Sequence, residues 1–329
     1  MKILIIKLGA LGDVVRTLSI LPALKEKYPD SEIHWVTKKN AEELFEGNPY
    51  ISKVHSLSSI NEKEKFDLLI NLDIESEASE LAQRVNAERK LGFYSQEGFP
   101  SAFNLGAEYY INTIFDDELK KANKKTYQEM IFEASELKYR KHHCPLFLIN
   151  KDKEYAENFI DKNKINTSNI LGIHMGASSR WPSKIWHEDN LIRFIAMAKN
   201  MGFDIILFAG KDEKDKQKNI IDKLNKEGIK IYQNNPDNSI KEFASLVNLC
   251  KKMICSDSFS LHISLALKKP TIGLFFCTSP EEIEDYGLLK KIISPKLGEF
   301  FPSRMDEYNE DLVKSISIEK VLENLDKNK

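Results

Sequence analysis

Short, unbroken apolar runs alternate with segments of helical spacing along this chain, and they do so in two successive series. KILIIK, residues 2–7, shows no polar alternation across Ile3 to Ile6, as a strand buried on both faces requires. Residues 14–28 follow with Val15, Leu18, Leu21 and Leu24 at helical intervals. EIHWVT and FDLLINL are further strands, and TYQEMIFEASEL is a helix with Thr126 and Glu129 at capping-box spacing. The polar stretch KNKINTSN, 162–169, reads as a linker. A second series then runs ILGIHM, helix 188–201, DIILFA, helix 239–250, KMIC, helix 259–268 and TIGLFF. An amphipathic helical tail over 308–327 closes the chain and is expected to pack back on the N-terminal domain. Such alternation specifies an α/β fold with parallel sheets covered by helices. Two series predict two Rossmann-like domains, 1–165 and 166–329, whose parallel sheets face each other across a cleft. Ligands of such sheets bind at the carboxyl ends of strands.

Composition narrows the classes. The 329 residues exceed one ordinary core, so two domains are the natural division. With 48 basic against 50 acidic side chains, nothing global marks a nucleic-acid binder. Cys144, Cys250, Cys255 and Cys277 lack paired metal spacing and read as buried, reduced thiols of a cytoplasmic protein. Lys7 interrupts the first apolar run, which is therefore not expected to be a signal peptide. No apolar stretch nears the roughly 20 residues that span a bilayer. The run KKANKK, Lys120 to Lys125, is either a solvated loop or a contact for an anionic lipid surface.

Three strand ends carry the candidate chemistry. The turn after KILIIK holds Gly9 and Gly12 and ends in Asp13. G-x-x-G is not the dinucleotide fingerprint, and a carboxylate at Asp13 would repel a pyrophosphate at close range. Asp13 is either the N-cap of helix 14–28 or a general base at a strand end. After ILGIHM come Gly176, Ala177, Ser178 and Ser179, then Arg180 and Lys184. Small residues, hydroxyls and cations at such a place suit a phosphate, or they form an ordinary surface loop. After KMIC come Ser256, Asp257 and Ser258, all helix-cap residue types, and then helix 259–268. Its first-turn N–H groups and dipole make an anion site, with His262 one turn away. In FAGKDEKDK, Glu213 is either a ribose partner or an acid that favours a helix start.

Read together, KLGALGDVVRTLSILPAL, GIHMGASSRWPSKIW and SDSFSLHISLALKKPTIGLFFCTSP resemble glycosyltransferase family 9, the bacterial lipopolysaccharide heptosyltransferases of the ADP-heptose type. The resemblance implies the GT-B fold, an N-terminal domain for the acceptor and a C-terminal domain for the nucleotide sugar. It implies inverting, metal-independent transfer of a heptose from ADP-heptose to a lipopolysaccharide inner-core acceptor, with no cofactor. By position, Asp13 resembles the family's base and Lys184 its diphosphate contact. Ser178, Ser179, Arg180, Glu213, Asp257, Ser258, Phe259, Ser260, Leu261 and His262 fall on the donor side, Gly12 and Arg16 on the acceptor side. The implied partners are the nucleotide sugar and a lipid-linked saccharide, with peripheral contact at the inner face of the inner membrane. Two positions depart from the pattern: Phe259 and Cys277 stand where the family usually has glycine. Another nucleotide sugar or acceptor, an epimerase on the same fold, and a non-enzymatic nucleotide-sugar binder are the competing classes.

Overall fold

The computed structural model describes residues 1–326. It forms two compact units: Met1–Phe147 with the short segment Glu281–Glu284, and Leu148–Pro280 with the chain from Asp285 onward.

The first unit is a six-stranded sheet: β1 (Lys2–Ile6), β2 (Glu32–Thr37), β3 (Lys53–Ser56), β4 (Phe66–Asn71), β5 (Ala87–Gln96) and β6 (Phe99–Ala102). The strands lie in the order β3-β2-β1-β4-β5-β6. All pairs are parallel except the β5–β6 hairpin. β1 lies between β2 and β4, and Ile3, Leu4, Ile5 and Ile6 are fully buried. Each such side chain contributes about 1.5–3 kcal/mol by leaving water. Helices α1 (Leu11–Thr17), α2 (Ile20–Lys27), α3 (Ser76–Arg84), α4 (Leu105–Phe115), α5 (Asp117–Ala122) and α6 (Tyr127–Ala134) complete the unit. The capping box of α6 is present, Thr126 and Glu129 each accepting the other's backbone N–H.

The segment expected as one helix over 14–28 is two. Pro22 lacks the N–H that a continuous helix would donate to Leu18, so the chain turns at Leu18–Ser19. α1 also starts earlier than expected, so Asp13 is not its N-cap but lies inside its first turn. β5 has no continuous apolar run, because its first half carries exposed Glu88 and Arg89. Gly92 in this strand has φ +84°, and a Cβ there would meet the Asn71 carbonyl oxygen at 1.9 Å. Only glycine fits there.

The second unit repeats the plan with β7 (Ile170–His174), β8 (Asp204–Phe208), β9 (Tyr232–Gln233), β10 (Lys252–Ser256), β11 (Thr271–Phe275) and β12 (Leu289–Ile293). Its order is β12-β11-β10-β7-β8-β9, parallel throughout. Its helices are α7 (Asn150–Asn163), α8 (Glu188–Asn200), α9 (Lys214–Lys226), α10 (Ile240–Leu249), α11 (Phe259–Ala266), α12 (Leu297–Phe300), α13 (Glu310–Lys314) and α14 (Ile318–Asp326).

Two expected boundaries shift. KNKINTSN is not the linker but the end of α7 and its exit loop, and α7 packs on α10 in the second unit. The division therefore falls after Phe147 instead of at 165. The tail is two helices, broken at Ser315–Ser317. Ile318, Val321 and Leu325 enter the core of the second unit, so α14 belongs there and not to the N-terminal domain. Residue 327, the last of the expected tail, lies outside the described residues.

The strand order reverses direction between β1 and β4 in one unit and between β7 and β10 in the other. These are the switch points where an open α/β sheet offers a crevice at its strand ends.

Candidate active site

At the first switch point the turn after β1 is built around an internal carboxylate. Asp73, just past β4, accepts the Leu8 and Gly9 N–H groups on Oδ2 at 2.8 and 2.6 Å. It also accepts the Glu75 N–H on Oδ1 at 3.0 Å. The Lys7 ammonium is 3.5 Å from the same carboxylate, and both side chains are almost wholly buried, at 5% and 2% exposure. A Cβ at Gly9 would come within 3.1 Å of both groups. Gly9 therefore makes room for an ion pair within the protein; it does not have a positive φ. Burial opposes the charge on Lys7, but Tyr127, Asp73, Asp13 and Tyr110 outweigh it and hold the ammonium above its ordinary pKa.

Asp13 stands above this turn. Its Oδ1 accepts from Arg16 Nε at 3.0 Å and from Arg16 Nη2 at 2.8 Å. The guanidinium lies 3.7 Å over the ring of Tyr127, which is fully buried. Thr17 Oγ1 donates to the Asp13 carbonyl at 2.6 Å. Its hydroxyl proton is thereby used, so Tyr127 Oη donates to Thr17 Oγ1, also at 2.6 Å. Arg16 is held well above its ordinary pKa; burial opposes this, and Asp13 heads the favourable causes.

At the second switch point a cation and an acid pair. Lys184, on the single 3-10 turn after the β7 loop, places Nζ 2.9 Å from Asp257 Oδ2. Each side chain is 14% exposed. His262 Nε2 lies 3.9 Å from Asp257 Oδ1. Ser258 is the first boundary residue of α11, but its hydroxyl bonds Ser256 O at 3.2 Å and Ser260 Oγ at 2.9 Å and does not cap the helix. The expectation that Ser258 caps this helix with its side chain is not met. Burial raises the Cys277 thiol to about 11, with Lys184 pulling the other way.

Glu213 is gripped by two glycine loops. Its Oε2 accepts the Gly210 N–H at 2.9 Å, and a Cβ at Gly176 would meet its carboxyl carbon at 2.5 Å. Between Glu213 and α11 runs an aromatic row. Phe243 lies 5.3 Å from Phe208, 5.9 Å from His174 and 5.8 Å from Phe259. Burial pushes His174 down to about 4, against a hydrogen bond that its ring N–H donates to the Gly176 backbone, so its imidazole is neutral near pH 7. Its Nδ1 has no hydrogen-bond partner.

The second unit thus brings Lys184, Asp257 and His262 together and sets Glu213 at a neighbouring strand end. Ser260 and Leu261 are buried in α11. Ser178, Ser179 and Arg180 remain on an exposed part of the loop, with Arg180 4.7 Å over Trp181. In the first unit Gly12 is buried in α1, and Arg16 turns onto Asp13. Sequence reading missed Lys7, Asp73, Tyr127 and His174. The signal for Asp73 was present: an acid directly follows FDLLINL, much as Asp257 follows KMIC and Ser256. The four cysteines are buried, and none of them forms a disulfide among the described residues. A cavity of about 760 Å³ lies between α7, α9 and the residues after β9, and none of the expected site residues lines it. Lys124 and Lys125 pair with Glu281 and Glu133, so this part of the basic run is charge-compensated.

Twin Rossmann-like units define the class: a GT-B protein, with one unit carrying a clamped carboxylate and the other a cation at a helix start. The model of glycosyltransferase family 9 (heptosyltransferase) matches residues 55–308, and the chain belongs to that family. Lipopolysaccharide heptosyltransferase 1 of Campylobacter coli is 25% identical over 96% of this chain and 98% of its own. The crystal structure of the glycosyl transferase family 9 from Veillonella parvula DSM 2008 has a TM-score of 0.77 at 18% identity, covering 98% of this chain and 95% of that one. The E. coli ADP-heptose lps heptosyltransferase II has 0.74 at 18%, covering 99% and 98%.

Proposed function

We propose that this chain transfers a heptose from ADP-heptose to a lipopolysaccharide inner-core acceptor, with inversion at the anomeric carbon. The observation that carries the reading is the Lys184–Asp257 pair at the start of α11, which Ser258 does not cap. A diphosphate has the charge and the acceptor oxygens for that place. Glu213 would take the ribose hydroxyls, while Ser178, Ser179, Arg180, Ser258, Phe259, Ser260, Leu261 and His262 complete the donor side. Asp13 is the base. It takes the proton of an acceptor hydroxyl, the oxygen bonds to the anomeric carbon, and the bond from that carbon to the diphosphate breaks. The electron pair leaves on the diphosphate, where Lys184 and the helix N–H groups meet the growing charge. Gly12 is assigned to the acceptor side. The saccharide acceptor is lipid-linked, so we place the enzyme in the cytoplasm, with peripheral contact at the inner membrane through Lys120 and Lys121.

The test is a thermal-shift screen of ADP-, UDP-, GDP- and CMP-sugars against each free nucleotide, followed by transfer assays. A ligand at about 100 times its Kd stabilises by about 2.7 kcal/mol. Selective stabilisation by ADP-heptose, lost in Lys184→Ala, supports the reading. Preference for UDP or GDP moves the function to another nucleotide sugar. Phe259 at the start of α11, its ring 5.8 Å from Phe243, favours that second reading, because a phenyl ring takes space that a glycine at that position would leave open.

A further inference from the structure

We infer that Arg16 acts on Asp13, as a positioning residue that orients the carboxylate and keeps it ionised, instead of contacting the acceptor. This rests on Asp13 being the base. Both contacting nitrogens of the guanidinium, Nε and Nη2, are directed at Asp13 Oδ1. Its flat face is covered by the Tyr127 ring at 3.7 Å, and the side chain is only 13% exposed. An acceptor contact needs donors that can be presented to a ligand, and this fork is already engaged on its edge and covered on a face. The clamp is itself held. Tyr127 is anchored by its hydroxyl to Thr17, one residue beyond Arg16, and by an edge contact to Tyr110 at 5.8 Å.

The groups acting on this pair come from several elements. Arg16 is on α1, Lys7 at the end of β1, Tyr110 on α4 and Tyr127 on α6; Glu282 acts on Arg16 from the Glu281–Glu284 segment. Asp73 acts through Lys7. Lys7 and Arg16 favour the ionised carboxylate, and Glu282 acts against it by partly offsetting the guanidinium. An opposite charge at this distance lowers a carboxyl by roughly 1–3 pH units.

The experiment is kcat/KM for acceptor against pH, at saturating ADP-heptose, for wild type, Arg16→Gln, Arg16→Lys and Tyr127→Leu, each checked by thermal melt. Arg16→Gln should move the acid limb up by about 1–3 units while leaving acceptor KM near the optimum within about two-fold. Arg16→Lys keeps a charge without the planar fork and should move it less. Tyr127→Leu should shift the limb in the same direction if it folds, and the Arg16 pair decides the matter if it does not. A rise in acceptor KM of about ten-fold or more with the acid limb unmoved would make Arg16 an acceptor contact and overturn the proposal. A pH-independent loss of activity with a lowered Tm would overturn it too, as a merely structural role. The underlying base assignment fails separately: Asp13→Asn would then turn over at the wild-type rate.

Discussion

In the first unit the turn after β1 points two backbone N–H groups at Asp73, a carboxylate of the same chain. In the second, α11 begins beside Lys184 and Asp257, and the Ser258 side chain does not cap it. The strand order is the same and both features stand at the switch point, yet the first turn's N–H groups are occupied from within, whereas the second carries a lysine–aspartate pair at its helix start. An external phosphate at the first turn would meet Asp73 at close range, where like charges repel strongly outside bulk water. The filled cradle instead gives a rigid platform for Asp13. The comparison teaches that two sheets of the same strand order can use the equivalent turn differently: one occupies its backbone N–H groups with a carboxylate of its own chain, and the other sets a lysine–aspartate pair beside a helix start.

The comparison can be broken or sharpened by substitution. The largest effect is expected at Asp13. Asp13→Asn should lower kcat by about 10²–10⁴ while leaving nucleotide-induced stabilisation intact, as measured by single-turnover transfer and thermal shift. Next comes the filled cradle. Asp73→Ala strands a buried Lys7 and should cost about 3–5 kcal/mol in urea unfolding. Adding Lys7→Met should recover part of this loss. Were Asp73→Ala instead to leave stability unchanged and confer nucleotide binding on the first unit, the cradle would be open after all. Lys184→Ala should raise the barrier by about 3 kcal/mol and weaken donor binding. The smallest effect concerns His174. An unfolded histidine titrates near 6.5, whereas this one is pushed to about 4. Above pH 6.5 both states are neutral there and no penalty arises. As pH falls from 6.5 towards 4, the unfolded chain takes up the proton first, and stability declines by up to about 3 kcal/mol. Urea midpoints at pH 7.5 and 5 should therefore fall further in wild type than in His174→Phe.

Much of this was legible in local patterns. KILIIK and ILGIHM are continuous apolar runs because each strand is hydrogen-bonded on both sides and covered on both faces, so their burial is written residue by residue. Asp13, Lys184 and Asp257 were visible as charged residues just past such runs. β5 was not visible, since it mixes exposed charge with buried Leu91 and Phe93 and follows no single period. Pro22 marks the break locally, but the helical spacing of Val15, Leu18, Leu21 and Leu24 runs straight across it. The tail's apolar stripe was correctly amphipathic, but a stripe does not say which surface it covers.

The sequence by itself determined the alternation of strands and helices, the division into two sheets and the chemical types at three strand ends. Those follow from side-chain period and from polar groups that terminate apolar runs, both local properties. Only the tertiary structure decided what each charge is used for. Lys7 and Asp73 are 66 residues apart, Arg16 and Tyr127 are 111 apart, and Lys184 and Asp257 are 73 apart. Chain folding sets such distances, and Coulomb and hydrogen-bond energies depend on distance and burial. A glycine at position 9 reads as an invitation to a ligand until the carboxylate that needs its space is brought beside it.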